Sequence, residues 1–432
     1  MTHMATTPDV AAESPTDAWA RRVRAQFPMF ADTEQEPLVY LDNGATTQKP
    51  QSMIDAMSRF YAHDNSNTGR GVYRLSMLVG EIYERCRETV ARFVNAESPN
   101  EIVFTRNTTD SVNLVAQGFG DLVVGEGDEV LITGMEHHSN LLPWLMLCER
   151  RGARLQVVPV DASGSVPLDE VAALLSDRTR MVAITHISNV LGTVNPIRDM
   201  VALAKQRDIP VLVDGAQAVA RRQVDVVDLG ADFYCFSAHK MYGPMGVGVL
   251  YAKDEHLQRM RPTQLGGGTV RNVTYEGETF MMPAPGRFEP GTPNIAGAVG
   301  LAAAVDFLSE QGWDTISGHD AELVRATVSG LESIDGVRVM GRPADEPGGI
   351  VSFVVEGLHP YDVGNHLNDH GIAVRTGVHC AVPFLDSLEL VGTVRVSFGV
   401  YNTAEEVERL LAAVATVQPG MWTREHPTRR FL

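Results

Sequence analysis

An α/β fold is predicted for this chain: a mostly parallel central sheet covered by helices, followed by a smaller α+β lobe. Three observations predict it. Short β-rich runs alternate with amphipathic helical patterns from about residue 50 to 255, the order that builds a parallel sheet covered on both faces. Beyond about residue 300 that order changes. The chain has 432 residues, 44% hydrophobic and 21% charged, which is ordinary globular composition and ample length for a large core and two lobes.

The elements follow in order. The stretch MTHMATTPDVAAESPTDAW has no apolar signal region and reads as a flexible lead-in. Strands are expected at DEVLIT (Asp128–Thr133), LQVVPV (Leu155–Val160), MVAITHIS (Met181–Ser188), IPVLVDG (Ile209–Gly215), DFYCFS and GVGVLYA, with helices such as Asn140–Arg151 and Pro196–Gln206 between them. Ligands of such sheets bind at the carboxyl ends of the strands. The Gly- and Pro-rich region Leu265–Asn294 reads as long loops near the site. A helix over IAGAVGLAAAVDFLSEQG then leads to a strand (Gly349–Gly357), a helix near Tyr361–Asp369, strand-like IAVRTG and TVRVSFG, and a last helix, Ala404–Val417. The expected division is 1–35 (lead-in and start of the small lobe), 36–300 (large domain) and 301–432 (small α+β domain).

The charge balance narrows the function classes. With 36 basic and 54 acidic residues the net charge is −18, a field that repels nucleic acid and anionic membrane surfaces. No run approaches the roughly 18 apolar residues of a membrane span. Cys86, Cys148, Cys235 and Cys380 are scattered without a C-x-x-C, which argues against a disulfide framework and structural zinc. A cytoplasmic enzyme is the expected class.

The stretch DFYCFSAHKMYGPMGVGVLYA places Lys240 between two buried-looking strands. Most lysines are solvated surface groups. One just past a buried strand is partly desolvated, which lowers its pKa and leaves a nucleophilic amine. Such an amine forms a Schiff base with an aldehyde, and pyridoxal phosphate is the common aldehyde cofactor. Asp214, at the tip of PVLVDG, is either a partner for the ring nitrogen or a helix cap. Gln217, three residues on, is in range of the ring oxygen. Thr108 and Thr109, just before a helix, mark either a phosphate cradle or an ordinary N-cap. Ser237 and His239 are further phosphate donors. His137 and His138 follow a strand; one imidazole stacked on a cofactor ring and a capping or core histidine are both open readings. In VRTGVHCAVPF, Cys380 lies in a loop with Arg375 and His379 nearby, which suggests an accessible thiol with thiolate character. The other three cysteines lie inside helical or strand patterns and read as buried hydrophobes. The alternation in GTVRVSFG buries Arg395, which then needs either an internal ion pair or a substrate carboxylate.

The order and spacing of these residues carry a resemblance. YLDNGATTQKP, EIVFTRNTTDSVNLVA, MEHHSNLLPW, THISNVLGTVNPI, VDGAQAV, FSAHKMYGPMGVGVLY, RFEPGTPN, RTGVHCAVP and VRVSFGVYNTAEEVERL run from about Val39 to the last helix. The chain resembles the cysteine desulfurase and selenocysteine lyase family of class V, fold type I pyridoxal-phosphate enzymes, and most nearly its SUF-type branch. The resemblance implies a large cofactor-binding domain and a small domain carrying a catalytic cysteine loop. It implies pyridoxal 5'-phosphate on Lys240, with Asp214 at the ring nitrogen, Gln217 at the ring oxygen and His137 on the ring face. Thr108, Thr109, Ser237 and His239 would hold the phosphate, joined by Thr292 from the partner subunit of a homodimer whose active sites lie at the interface. Asn189, Arg395, Arg375 and Arg70 fall on the substrate side, and Cys380 would take the sulfur of a small amino acid, cysteine. A sulfur-acceptor protein or thiol would then unload it, toward iron–sulfur clusters or another sulfur product. No nucleic acid, membrane or metal is implied. The family reads Asn-x-His-Arg-Gly-x-His where this chain has NTGRGVYRLS, so Gly69 and Tyr73 stand in the histidine places; Val378 stands for another histidine before the cysteine. A pyridoxal-phosphate C–S lyase of the same class, acting on a different amino acid without a sulfur-carrying Cys380, fits the same residues.

Overall fold

Seven runs rich in β-branched and aromatic residues assemble the central sheet. They are β1 (Ile102–Thr105), β2 (Glu129–Thr133), β3 (Arg154–Val158), β4 (Thr179–Thr185), β5 (Val211–Asp214), β6 (Phe233–Ser237) and β7 (Gly248–Ala252). The structure is a computed structural model that describes residues 15–31, 38–68, 71–161, 163–341 and 347–418. The strands lie in the order β1-β7-β6-β5-β4-β2-β3. From β3 to β6 all pairs are parallel, whereas β7 runs antiparallel to both of its neighbours. Every residue of β2, β5, β6 and β7 is buried. Their side chains alternate between two cores: Val211, Val213, Tyr234 and Phe236 on one face, Leu212, Phe233, Cys235 and Leu250 on the other. That is why these segments read as apolar runs.

Helices cover both faces. α1 (Arg74–Phe93), α2 (Thr108–Val115), α3 (His138–Arg151) and α4 (Ile197–Lys205) all precede β7 or connect its strands. α4 buries Ile197, Met200, Val201 and Ala204, the spacing of one helical face. α5 (Ile295–Gln311) and α6 (Trp313–Glu332) meet at Gly312, whose φ of 79° suits glycine. Leu301, Ala304, Val305 and Leu308 of α5 join the first core, while Leu323, Val324 and Leu331 of α6 join another.

That other core belongs to a four-stranded antiparallel sheet of β8 (Val337–Val339), β9 (Ile350–Val355), β10 (Arg375–Gly377) and β11 (Thr393–Ser397), ordered β8-β9-β11-β10. α7 (Pro360–Asp369), α8 (Val382–Ser387) and α9 (Ala404–Ala415) complete it. α9 starts at a capping box made by Thr403 and Glu406. The early segment Val39–Tyr40 pairs in parallel with Ile372–Ala373, and Val39 and Leu41 are buried in the same core.

Four expectations shift. The lead-in expected to be flexible through Trp19 is helical from Pro15 to Arg24, and its first fourteen residues lie outside the described ones. The helix expected from Asn140 begins at His138, because His137 caps it. IAVRTG splits at Val374: its first half pairs with Val39–Tyr40 and its second with β11. The region read as long loops contains an exposed antiparallel hairpin, Val270–Val273 with Thr279–Met281. Among the described residues no helix is long and apolar enough to cross a membrane.

Candidate active site

β4, β5 and β6 end at Thr185, Asp214 and Ser237, and all three residues line one cleft of about 470 Å³. Parallel strands put these carboxyl ends side by side. The turn after β5 needs Gly215, since a Cβ there would lie 2.1 Å from the Tyr234 ring. Asp214 is buried, and among the described residues its carboxylate accepts one hydrogen bond, from the Ala216 amide at 2.9 Å. Burial raises its pKa, opposed by that amide and by the charge of Lys240.

Lys240 closes a short turn, Ala238–Lys240, directly after β6. It stays open to the cleft on one side, yet desolvation brings its amine down to about 8; Asp214 opposes the shift and Arg395 assists it. The amine therefore supplies far more neutral nucleophile near neutral pH than an ordinary lysine.

A polar cradle stands beside the lysine. Thr108 is the first residue of α2, not the residue before it, and the cap is Asn107, whose Oδ1 accepts from the Asp110 amide at 2.9 Å. This leaves the Thr108 amide and hydroxyl to meet Ser237 Oγ at 2.8 and 2.7 Å. The close approach requires Gly248, where a Cβ would sit 2.5 Å from the Asn107 backbone. Thr109 Oγ1 meets Ser139 Oγ at 2.7 Å, and Ser139 Oγ meets His137 Nδ1 at 3.0 Å. Of the readings open for His137, the cap is present: its Nδ1 accepts from the Ser139 amide at the start of α3, and the residue also lines the cleft. Burial and the Lys240 charge push its pKa down to about 3, so the imidazole is neutral. His239 is also neutral, pushed down to about 4 chiefly by burial. Behind His137, buried Glu136 accepts from Thr133 Oγ1 (2.5 Å), the Thr185 amide (2.9 Å) and Asn140 Nδ2 (2.7 Å), tying β2, β4 and α3 together. Gln217 lines the cleft and donates to the Gly44 carbonyl at 2.8 Å.

The opposite wall comes from the second sheet. Arg375 and Arg395 face each other in the β10–β11 register. Both bind Asp42: Arg375 through Nε and Nη2 (3.1 and 2.7 Å), Arg395 through Nη2 (3.3 Å). The internal ion pair that the sequence left open for Arg395 is therefore present. Arg395 Nη1 donates to the Asn189 carbonyl at 2.9 Å, but its buried Nε has no partner among the described residues. Asn189 Nδ2 donates to the His379 carbonyl at 2.7 Å. His379 Nε2 meets Thr393 Oγ1 at 2.8 Å, and the His138 amide donates to the Cys380 carbonyl at 2.8 Å. These bonds hold two consecutive left-handed residues, His379 (φ 50°) and Cys380 (φ 55°), a conformation costly outside glycine. The Cys380 thiol is exposed on the cleft; Cys86, Cys148 and Cys235 are buried. Burial pushes His379 down to about 3, so it carries no charge toward the thiol, contrary to the expectation for it.

The structure thus brings together Thr108, Thr109, His137, Asn189, Asp214, Gln217, Ser237, His239, Lys240, Arg375, Cys380 and Arg395. Thr292 lies apart, in a separate pocket with Phe104, Arg106 and Asn294. Tyr73 also lies off the cleft, its hydroxyl 2.8 Å from Ser66 Oγ. Gly69 and Arg70 lie outside the described residues. Sequence reasoning passed over Asp42, Asn107, Glu136 and Ser139. Only Asn107 had a signal, an Asn directly before a helical run.

The residues fit pyridoxal phosphate. A buried carboxylate with one hydrogen bond suits a cationic ring nitrogen, a neutral imidazole suits the ring face, and an amine with depressed pKa suits an aldehyde. The α2 N-terminus and its hydroxyls suit a phosphate.

Comparison with known proteins agrees. Residues 39–410 match the family described as Aminotransferase class-V. A cysteine desulfurase of Salmonella agona (strain SL483) is 46% identical over 397 residues, covering 92% of this chain and 97% of the relative. The apo structure of a cysteine desulfurase from Thermococcus onnurineus NA1 superposes with a TM-score of 0.87 at 39% identity, covering 91% of this chain and 96% of that one. A C-DES mutant with glycine covalently linked to its pyridoxal-phosphate cofactor superposes with a TM-score of 0.78 at 26% identity, covering 91% and 99%.

Proposed function

The chain belongs to the class-V aminotransferase family, and on that premise we propose that it is a pyridoxal-phosphate-dependent cysteine desulfurase that converts L-cysteine to L-alanine. One observation carries the reading: Lys240, Asp214 and an exposed cysteine, Cys380, line the same cleft from opposite walls.

Bound pyridoxal phosphate supplies an electron sink for the substrate's α-carbon. In this reading Lys240 holds the cofactor, and Asp214 keeps the ring nitrogen cationic. His137 would lie on the ring face, and Gln217 would reach the ring oxygen. Thr108, Thr109, Ser237 and His239 hold the phosphate. Arg395, whose Nε has no partner among the described residues, and Asn189 receive the substrate carboxylate, with Arg375 beside them. The amine of Lys240, near 8, is matched to moving the α-proton at neutral pH. The Cys380 thiolate attacks the substrate sulfur. The new S–S bond forms as the substrate's C–S bond breaks, and the β-carbon takes a proton. L-cysteine and the Cys380 thiol thereby become L-alanine and a Cys380 persulfide, with all atoms accounted for.

A homodimer completes the site in this reading, with Thr292 of each subunit serving its partner's phosphate; its place outside the cleft of its own chain supports that assignment. A protein or thiol acceptor unloads the persulfide in the cytoplasm. The boundary near residue 300 between a cofactor domain and a cysteine-bearing domain, and a substrate-side role for Arg70, belong to the same proposal.

The test is incubation of the purified holoenzyme with L-cysteine and a reductant. Alanine and sulfide formation should fall by more than 100-fold in Cys380→Ser while cofactor content is unchanged. Equal alanine yield from both proteins would remove the sulfur-carrier role and leave a C–S lyase of the same class.

A further inference from the structure

The carbonyl of His239 is the oxygen of the peptide bond that leads into Lys240, and four donors converge on it. They are Thr46 Oγ1 (3.0 Å), the Thr47 amide (3.0 Å), Thr47 Oγ1 (3.2 Å) and Lys49 Nζ (2.9 Å). A carbonyl has two lone pairs and is ordinarily served by one or two donors. Two residues past Lys240, the Tyr242 amide donates to Thr47 Oγ1 at 2.8 Å, and Tyr242 has a left-handed φ of 67°. The lysine loop is thus fastened on both sides of Lys240 by one short segment, Thr46–Lys49.

Lys49 is the unexpected member. It is half-buried, its ammonium forms no ion pair with a carboxylate among the described residues, and it does not line the cleft. Burial pushes it down to about 7. A desolvated ammonium without a carboxylate is costly, and nothing in the chemistry assigned to the cleft requires one outside it.

We propose that Lys49 is a positioning residue for Lys240: its Nζ donor, with the Thr46 and Thr47 hydroxyls, fixes the His239–Lys240 peptide and so aims the Lys240 amine into the cleft. The inference rests on the reading of Lys240 as the cofactor-binding lysine. Its physical content is water exclusion. The groups whose charges act on Lys240 are Asp214, Arg395, Cys380 and Arg375, but the largest influence on its amine is desolvation, which holds only while the loop is closed over it. Loosening the carbonyl lets water reach the amine and raises its pKa toward that of a free lysine.

The experiment uses full-length apoprotein mixed with pyridoxal 5'-phosphate. Capture is followed by absorbance across the neutral-to-alkaline range, then fixed with borohydride and mapped to its peptide. For Lys49→Met the midpoint of capture should rise by about one pH unit, slowing capture at neutral pH about tenfold. Lys49→Arg, which keeps a long side chain with a donor, should recover at least half of that shift. Should Lys49→Met fold poorly, Thr46→Val removes a different donor from the same carbonyl and should shift the midpoint the same way by less. A wild-type midpoint and capture rate in Lys49→Met, or in Thr46→Val where that variant stands in, would overturn the proposal, whatever happens to thermal stability. Failure of the wild-type protein to label Lys240 would instead sink the reading of the cofactor site, so the two failures are distinct.

Discussion

The two walls of the cleft are built by opposite means. The wall at the strand ends tunes its groups by burial: Lys240, on the turn directly after β6, is pushed down to about 8, and His137, the cap of α3, to about 3. The wall that carries Cys380 is a loop with two consecutive left-handed residues, held by hydrogen bonds from Asn189, His138 and Thr393. One wall sets proton affinities, and the other presents a thiol on strained backbone. Desolvated Lys240 sits directly past a buried strand, and the exposed thiol of Cys380 sits on a loop.

Substitutions on the two walls should therefore separate cofactor capture from sulfur transfer. The largest effect is expected for Lys240→Ala, which abolishes borohydride-stable labelling by pyridoxal phosphate, read by peptide mass. In the wild-type protein, capture should rise with pH and level off above about 8, because the neutral amine reacts and its fraction grows as pH passes its pKa. Asp214→Asn comes next. Alanine formation should fall by about 100-fold or more, and the capture midpoint should move below 8, since the Asp214 charge now favours the ammonium form of Lys240. A midpoint that moves upward would contradict that geometry. The smallest effect belongs to the loop. His379→Ala removes the bond to Thr393 yet keeps a left-handed non-glycine residue. It should cost about 1–2 kcal/mol of unfolding free energy in denaturant titrations and lower alanine formation severalfold, with capture at Lys240 unchanged. Loss of capture in that variant would mean that the two walls are not independent.

The sheet was legible because its strands are buried on both faces, so the sequence shows uninterrupted apolar runs ending in Asp214 and Ser237. Lys240 was legible for the same reason, as a charge set directly against such a run. The hairpin around Thr274 was not, because its strands are mostly exposed and carry little apolar signal. Asp42 and Ser139 escaped notice because their roles come from distant partners: Asp42 meets Arg375 across 333 positions, and Ser139 meets Thr109 across 30. The alternatives for His137 could not be separated in one dimension, since it caps a helix and faces the cleft at once. The left-handed turn at His379 and Cys380 has no glycine to announce it.

The pairing of Val39–Tyr40 with Ile372–Ala373 bears on how the polypeptide matures. Ribosomes release the start of a chain long before its end, and contacts between remote stretches close late. Here the segment leading into Thr46–Lys49 is made early but lacks its pairing partner until Ile372–Ala373 emerge. A nascent or truncated product ending before Ile372 would lack that pairing, and on the role proposed for Thr46–Lys49 its lysine turn should be held less firmly.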